Sequence, residues 1–316
     1  MTNTLSYVSS DDSPGALCER LTYVLITPAR NEATFIGHTI EAVINQTVRP
    51  IKWVIVSDGS TDGTDEVIKK YLPDNPWIEL MRTPERKERH FAGKVRAFNT
   101  GYARVQGLNY SVIGNLDADI TFDAEYFAFL MSKFAEYRDL GVAGTPFQEE
   151  CHQYDYRFTS IEHVSGACQL FRKECFEDIG GYTPIETGGV DLVAVITARM
   201  RGWRTRTFLE KVCFHHRKMG TANHTVLKNA FNGGKTDYTH GCCGTWQLFR
   251  CGYQMTRSPV ILGGMLCLVG FGWAAVTRME RVVSKEVVRF RRAEQMRRLT
   301  SFVLNVFRAG DLIAHR

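Results

Sequence analysis

The sequence predicts an α/β fold in which a mainly parallel sheet is flanked by helices and followed by a C-terminal helical appendage. Short β-rich runs alternate with stretches of helical periodicity from residue 22 to residue 119. Such alternation is typical of parallel sheets with right-handed crossovers. The composition, 44% hydrophobic and 23% charged, is that of a globular chain and excludes a disordered or polytopic membrane protein.

The elements of the first half follow from the apolar periodicity of the chain. We predict strands and helices in alternation, with strands over residues 22–29, 52–58, 77–83 and 110–119 and helices over 34–45 and about 93–105. Ser60, Thr61 and Asp62 can cap a helix that follows the second strand.

The second half is less regular. We predict further strands over residues 140–148, 166–176 and 204–216, a helix over 192–202, and loops with short helices over 219–251. These elements suggest a flexible N-terminal arm over residues 1–20, one large domain over 21–220 and a C-terminal loop and helical region over 221–316. The first residues have neither the basic nor the apolar region of a signal peptide, and we expect a cytoplasmic protein.

Polar clusters follow the first, second and fourth predicted strands. They are Arg30-Asn31-Glu32, Asp58-Gly59-Ser60 and Asp117-Ala118-Asp119. In an open parallel sheet, ligands bind at the carboxyl ends of the strands. We therefore expect these clusters to form a single site along one rim.

Asp117 and Asp119 end an apolar run and flank only Ala118. On a strand this spacing turns both carboxylates the same way, and carboxylate oxygens are preferred ligands of Mg²⁺ and Mn²⁺. In isolation, solvated aspartates at a strand end are the better interpretation. The neighbouring motifs favour a metal site.

Six motifs occur in one order along the chain: ITPARNE (26–32), VSDGSTDGT (56–64), GKVRAFNTGYARVQG (93–107), NLDAD (115–119), SGACQLFRKECFEDIGGY (165–182) and TGGVDLVAVITARMRGWRTR (187–206). Together they resemble the family 2 glycosyltransferases, inverting enzymes of the Rossmann-like GT-A fold that take part in exopolysaccharide or cell-surface glycan synthesis. The resemblance covers about residues 20–220. It implies a nucleotide-sugar donor, usually a UDP-sugar, with Mg²⁺ or Mn²⁺ on its diphosphate.

The resemblance also implies roles for individual residues of this chain. Those expected to bind the nucleotide-sugar are Pro28, Arg30, Glu32, Asp58, Lys94 and Asp117, and those expected at the metal are Asp119, Asp117 and a late histidine, His216 or its neighbour His215. Other interpretations stay open. Arg30 and Glu32 could pair with each other, Lys94 could be a solvated helix residue, and either histidine could pack or bind phosphate.

Asp191 stands where the family that these motifs resemble has its catalytic base. Inversion requires an acceptor hydroxyl to attack opposite the leaving diphosphate, and a carboxylate can remove its proton. Members of the family commonly have Glu-Asp here, whereas this chain has Val190-Asp191 after Gly188-Gly189. Asp191 also directly precedes an apolar helical stretch, so it could serve as a helix N-cap.

The C-terminal region combines an uncharged stretch with a basic one. Residues 258–277 carry no formal charge, and the eight basic and three acidic residues of 278–298 give +5, the whole net charge of the chain. We expect attachment to the inner face of the plasma membrane, with a bilayer span and a helix buried in the protein as alternatives. The basic stretch lacks the interleaved aromatic residues of a nucleic-acid surface, and we expect no nucleic acid partner.

The sequence therefore predicts a metal-dependent, inverting glycosyltransferase with a lipid-linked or polysaccharide acceptor. A metal-dependent nucleotidyltransferase is an alternative, but it would more typically have a glycine-rich basic loop where this chain has PARNE. A catalytically idle protein that binds nucleotide or carbohydrate is the other. The presence of Asp58, Asp117, Asp119 and Asp191 together argues against it.

Overall fold

The computed structural model describes residues 21–85, 91–149, 152–153, 160–217, 226–256 and 260–314, so the expected N-terminal arm lies outside the described residues. The chain forms two compact units. The first comprises Met1–Arg89, Gly93–Tyr182 and Trp203–His216, and the second comprises His90–Ala92, Thr183–Gly202 and Arg217–Arg316.

The first unit contains the strands. They are β1 (Tyr23–Ala29), β2 (Lys52–Asp58), β3 (Ile78–Thr83), β4 (Val112–Leu116), β5 (Ile120–Thr121), β6 (Leu140–Gly144), β7 (Phe147–Glu149), β8 (His152–Gln153), β9 (Cys168–Arg172), β10 (Arg204–Thr207) and β11 (Cys213–His215). Seven form one sheet in the order β10-β6-β9-β4-β1-β2-β3, and four form a smaller sheet in the order β5-β11-β7-β8. In the larger sheet only β9 runs antiparallel to its neighbours.

Helices accompany the larger sheet: α1 (Ile36–Ile44), α2 (Thr64–Lys69), α3 (Phe91–Val105), α4 (Tyr126–Glu136) and α5 (Lys173–Asp178). The central strands are buried along nearly their whole length, as parallel strands covered on both faces are. Trp53 is fully buried, and its indole N–H donates to Thr27 Oγ1 at 2.9 Å, which satisfies both polar groups in the core. The expected α/β fold with a mainly parallel sheet is confirmed.

Two predicted strands are each divided between the two sheets. Residues 140–148 form β6 and β7, and residues 204–216 form β10 and β11. Pro146 interrupts the first stretch because proline has no backbone N–H for the ladder, while its carbonyl accepts from Cys213 N at 3.0 Å. The second stretch follows the same course, since β10 pairs with β6 and β11 pairs with β7. Periodicity predicts a strand but not the sheet that it joins.

A third prediction was also partly wrong. Residues 166–176 form the strand β9 followed by the helix α5 rather than one continuous strand.

The second unit is helical. Its helices are α6 (Val190–Met200), α7 (Val226–Thr239), α8 (Gly244–Gln254), α9 (Leu262–Val276) and α10 (Lys285–Ala314). For the region of α7 and α8 the sequence predicts loops with short helices, because glycine and polar residues are frequent there, whereas the structure has two helices of 14 and 11 residues. Gly234 of α7 and Gly270 of α9 are sites of direct helix–helix contact, where a Cβ would meet backbone of the opposite helix. These glycines allow close packing rather than a loop.

The segment 183–202, part of the large domain predicted over residues 21–220, belongs to this second unit. A buried ion pair helps to hold it there, because Arg199 Nε on α6 lies 2.7 Å from Glu294 Oε1 on α10. Among the residues that the structure describes, no helix is both long enough and apolar enough to span a bilayer.

Candidate active site

The loops that follow β1 and β2 are tied together by crossed hydrogen bonds. Asn31 N donates to Ser60 Oγ at 3.2 Å, and Thr61 N donates back to Asn31 Oδ1 at 2.9 Å. Glu32 N donates to Thr64 Oγ1 at 2.8 Å. The two predicted clusters that follow these strands therefore share one rim of the sheet.

Asp62 completes this connection. Its carboxylate accepts from Ala33 N at 3.0 Å and from Thr64 N at 3.1 Å. Burial raises the pKa of Asp62, but the hydrogen bonds from Thr64 and Ala33 outweigh it, so the pKa lies below its ordinary value. The charged form of Asp62 thus stabilises the joined loops.

Asp58 ends β2 and is buried, with only 6% of its surface exposed. Thr83 Oγ1 at the end of β3 donates to its Oδ1 at 2.9 Å. The next residue, Gly59, has φ 62°, and a Cβ there would lie 2.6 Å from Glu85 Cα. Glycine is therefore required for the chain to turn directly after Asp58.

Three other residues of this region are predicted to bind the nucleotide-sugar. Pro28 is a half-buried residue of β1, paired with Val56 of β2. Arg30 and Glu32 are half-buried in the loop that follows. The Glu32 carbonyl accepts from Phe35 N at 3.0 Å and from Ile36 N at 2.9 Å, so it fixes the start of α1.

The sequence predicts a strand over residues 110–119, but in the structure Asp117 and Asp119 lie beyond the end of that strand. β4 ends at Leu116, and Ala118 and Asp119 form a turn before the two-residue strand β5. Thr39 of α1 holds this turn by donating to the Ala118 carbonyl at 2.9 Å. Because the backbone turns between them, the two carboxylates have different surroundings: Asp117 is half-buried and Asp119 is buried.

Asp117 is paired with a lysine that the sequence placed in the same site. Lys94 Nζ, on α3, lies 2.5 Å from Asp117 Oδ1. Asn115 Nδ2 is also near this carboxylate, at 3.4 Å. The ammonium group is thereby held at the carboxyl end of β4, with 41% of the lysine side chain exposed.

Asp119 faces His215 rather than His216. His215 Nε2 lies 3.5 Å from Asp119 Oδ2, and His215 Nδ1 lies 3.0 Å from Glu149 Oε1. All three side chains are at least 90% buried. A buried histidine between two carboxylates is a common arrangement at metal sites, where the outer carboxylate orients the ring.

His216 has other contacts. Its Nε2 lies 2.8 Å from Thr121 Oγ1, and its ring stacks on Phe35 with centroids 6.2 Å apart. Its backbone N–H donates to the Asp119 carbonyl at 3.0 Å. His216 therefore lies beside the turn of Asp119, with its ring directed to Thr121.

The donor set suits a hard divalent cation. Among the described residues, no group of three or more His, Cys, Asp or Glu side chains is arranged to hold a metal ion. Asp119 and His215 offer one oxygen and one nitrogen 3.5 Å apart. Mg²⁺ and Mn²⁺ usually take few protein ligands and retain waters and substrate phosphates. One carboxylate oxygen and one imidazole nitrogen therefore fit such an ion.

Asp191 lies in the first turn of α6, in the second unit. The N-cap position belongs to Gly189, which has φ 77°, so the alternative role of Asp191 as N-cap is wrong. Asp191 is half-buried. A carboxylate in the first turn interacts favourably with the positive end of the helix.

Sequence reasoning missed Glu149. It directly follows the strand predicted over residues 140–148. Two acidic residues, at 149 and 150, therefore stand at the end of that strand, and this pattern is the signal that could have identified Glu149. Its partner His215 is 66 residues away in sequence, and no local pattern links the two.

A family model matches about half of the chain, and Asp191 and His215 lie outside the matched residues. The model of glycosyl transferase family 2 matches residues 24–183. The chain is 30% identical over 118 residues to a chondroitin synthase of Pasteurella multocida, a match that covers 37% of this chain and 11% of that protein. It is 24% identical over 208 residues to a poly-beta-1,6-N-acetyl-D-glucosamine synthase of Staphylococcus aureus, which covers 60% of this chain and 48% of that protein. The chain thus spans less than half the length of either relative.

Solved structures show the same fold. A mannosyltransferase of Pyrobaculum calidifontis in complex with GDP-Man and Mn²⁺ superposes with a TM-score of 0.55 at 17% identity, over 90% of this chain and 81% of that one. S. aureus TarS 1–349 in complex with UDP-GlcNAc gives 0.52 at 12% identity, over 86% and 78%. The expected GT-A fold is confirmed.

Proposed function

This chain belongs to glycosyl transferase family 2, and we propose that it transfers a sugar from a nucleotide-sugar, a UDP-sugar in the first instance, to a polysaccharide or lipid-linked acceptor with inversion at the anomeric carbon. The observation that carries the proposal is the grouping of Lys94, Asp117, Asp119 and His215 at the carboxyl end of β4. A cation, two carboxylates and an imidazole together suit a diphosphate and its metal ion.

The nucleotide is bound by the joined loops after β1 and β2. We assign the base to Asp58, whose carboxylate is buried at the end of β2, and further nucleotide contacts to Pro28, Arg30 and Glu32. We assign Lys94 and Asp117 to the part of the site that binds the diphosphate. This assignment rests on the family motif together with the hydrogen bonds that bring the two loops onto one rim.

Asp119 and His215 are the residues that would hold Mg²⁺ or Mn²⁺. His215 is preferred to His216 because its Nε2 faces Asp119, whereas the Nε2 of His216 faces Thr121. When bound, the ion neutralises negative charge that develops on the departing diphosphate. The solved mannosyltransferase structure contains GDP-Man and Mn²⁺, and the solved TarS structure contains UDP-GlcNAc, which supports donors of this class.

Asp191 is assigned the role of general base from its position in the family motif. As the acceptor oxygen bonds to the anomeric carbon, the bond from that carbon to the diphosphate oxygen breaks, and the hydroxyl proton passes to Asp191. Attack opposite the leaving group inverts the configuration. The relatives named as polysaccharide synthases support a growing glycan as acceptor.

A membrane surface is the proposed location. The large apolar side chains of α9 point outward: Leu262, Met265, Val269, Trp273 and Val276 are 52%, 47%, 54%, 58% and 83% exposed. The small residues of the same helix, Gly264, Cys267, Gly270 and Ala274, are buried. An apolar exposed face on an uncharged helix suits the interfacial region of a bilayer.

The basic residues that follow α9 differ in exposure, and only the exposed ones can face a membrane. Lys285, Arg289, Arg292 and Arg297 are exposed on α10 and can meet anionic headgroups at the inner face of the plasma membrane. Arg291 is buried and donates to the His240 carbonyl at 2.7 Å, so this cation of the basic stretch stabilises the fold and does not face a membrane.

A direct test uses the full chain with a panel of UDP- and GDP-sugars, Mn²⁺ or Mg²⁺, and oligosaccharide acceptors, with nucleotide release and product linkage as readouts. The Asp119→Ala variant should lose metal-dependent nucleotide binding and transfer, whereas Asp123→Ala, an exposed carboxylate paired with Lys211, should retain both. Nucleotide binding without transfer would favour an idle binding protein. Pyrophosphate release from a nucleoside triphosphate would favour a nucleotidyltransferase.

A further inference from the structure

A buried histidine contacts the loop that leads to Asp191. His240, directly after α7, is 1% exposed. Its Nε2 lies 2.9 Å from the Gly188 carbonyl oxygen, and its Nδ1 lies 2.7 Å from the Thr236 carbonyl oxygen. All these residues belong to the second unit.

The loop at this contact has an unusual backbone. Gly188 and Gly189 have φ 88° and 77°, both in the left-handed region. A Cβ on Gly189 would lie 2.7 Å from His240 Nε2, so the imidazole packs directly against the loop backbone. α6 begins immediately after Gly189, and Asp191 lies in its first turn. The direction of the Asp191 side chain therefore depends on how this loop is held.

His240 is itself firmly held. Its backbone N–H donates to the Thr236 carbonyl at 3.0 Å, and Arg291 Nη1 on α10 donates to its carbonyl at 2.7 Å. Burial lowers the pKa of His240; Arg291 lowers it further, while hydrogen bonds to the Thr236 and Gly188 carbonyls and the charge of Asp237 oppose the shift. A neutral imidazole has one N–H, which can serve only one of the two carbonyls. The Thr236 carbonyl already accepts from His240 N at 3.0 Å and from Thr239 Oγ1 at 3.1 Å, so a proton on Nε2, which serves the Gly188 carbonyl, leaves both carbonyls with a donor.

We propose that His240 is a positioning residue for the transfer reaction. The N–H at its Nε2 donates to the Gly188 carbonyl and fixes the Gly188-Gly189 loop, which keeps the Asp191 carboxylate directed for proton removal. The inference rests on the proposed role of Asp191, because a positioning residue matters only if the residue that it positions acts.

Two substitutions of the full chain separate the two ring nitrogens. In His240→Gln the side-chain amide nitrogen lies near the former Nε2 position and can still donate to the Gly188 carbonyl. In His240→Asn it lies near the former Nδ1 position and leaves that carbonyl without this donor. Both variants keep the backbone contact with Arg291, so they form a matched pair.

The turnover and the donor affinity are measured for both variants. His240→Asn should lose about 10- to 100-fold in kcat, because small displacements of a catalytic group are costly, while His240→Gln retains most of it. The dissociation constant of the nucleotide-sugar should be unchanged in both, since the assigned donor contacts lie in the first unit. Equal kcat in the two variants, whether normal or reduced, would overturn the positioning role.

A second readout does not depend on activity. Amide hydrogen exchange at residues 188–193 should be faster in His240→Asn than in wild type and near wild type in His240→Gln. If exchange is the same in both variants, His240 does not hold the loop. If exchange follows the expectation but Asp191→Asn transfers sugar normally, the base role fails while the loop contact stands.

Discussion

Lys94 Nζ and Asp117 Oδ1 lie 2.5 Å apart at the carboxyl end of β4, where a helix side chain meets the first of the two aspartates. The pair places a positive charge at the rim without leaving the neighbouring carboxylate uncompensated. It also means that the ammonium group is oriented before any anionic substrate arrives. An oriented donor binds a diphosphate with a smaller loss of side-chain entropy than a free one.

Lys94→Met should weaken nucleotide-sugar binding by about tenfold, since a hydrogen bond to a charged group contributes about 1.5 kcal/mol or more. Titration calorimetry with a UDP-sugar measures the effect. Arg96→Met is the matched control, because Arg96 is an exposed cation on the same helix. Equal losses in the two variants would mean that only the net charge of α3 matters.

Glu149→Gln should weaken Mn²⁺ binding about 10- to 100-fold, because the carboxylate that orients His215 becomes a neutral amide. Binding of Mn²⁺ alone, followed by electron paramagnetic resonance of the free ion, gives the affinity. Glu125→Gln changes an exposed glutamate of the same unit and should leave the affinity unchanged. An unaltered Mn²⁺ affinity in Glu149→Gln would remove His215 from the proposed metal site.

Asp191→Asn should lower turnover by about 10²- to 10⁴-fold, the usual contribution of general-base catalysis. Donor affinity should stay near the wild-type value, because the amide preserves shape and the assigned donor contacts are elsewhere. Glu186→Gln, an exposed carboxylate in the same unit, is the control. Near-normal transfer would refute the base role, and lost donor affinity would reassign Asp191 to binding.

Asp62 should make the joined loops sensitive to acid. Its pKa is lowered in the folded protein, so its contribution to stability is present above the unfolded pKa of about 4 and is lost as the pH falls through the folded pKa. The difference in unfolding temperature between wild type and Asp62→Asn should therefore be largest near neutral pH and shrink in acid. Asp74→Asn, at an exposed position, provides the comparison. A difference that is constant with pH would contradict the prediction.

Substitution of Val269 and Trp273 by serine should release the protein from vesicles that contain phosphatidylglycerol, because both side chains belong to the exposed apolar face of α9. Vesicle sedimentation at low salt measures the bound fraction. The unfolding temperature should barely change, since the side chains are exposed. Leu209→Ser alters a 51% exposed leucine of the first unit and should not affect binding. Wild-type protein that fails to sediment with the vesicles would refute the membrane proposal.

Much of the fold could be predicted from local sequence patterns. Apolar runs such as those around Leu25 and Val54 specify buried parallel strands, and the polar residues at their ends specify the rim of the sheet. The positions of Asp58 and Asp117 at that rim follow from this local information, whereas Lys94, on a helix, is expected there only from the family resemblance. Glycine was less informative, because Gly234 lies within a helix where it permits close packing, and composition alone favours a loop there.

By itself the sequence determined the alternation of strands and helices, since backbone periodicity is encoded within a few neighbouring residues. Only the tertiary structure decided which distant side chains meet. Glu149 pairs with His215 across 66 residues, and His240 meets Gly188 across 52. Such contacts depend on how sheets and helices pack in three dimensions. They therefore decide which of two adjacent histidines faces Asp119 and what holds the loop before Asp191.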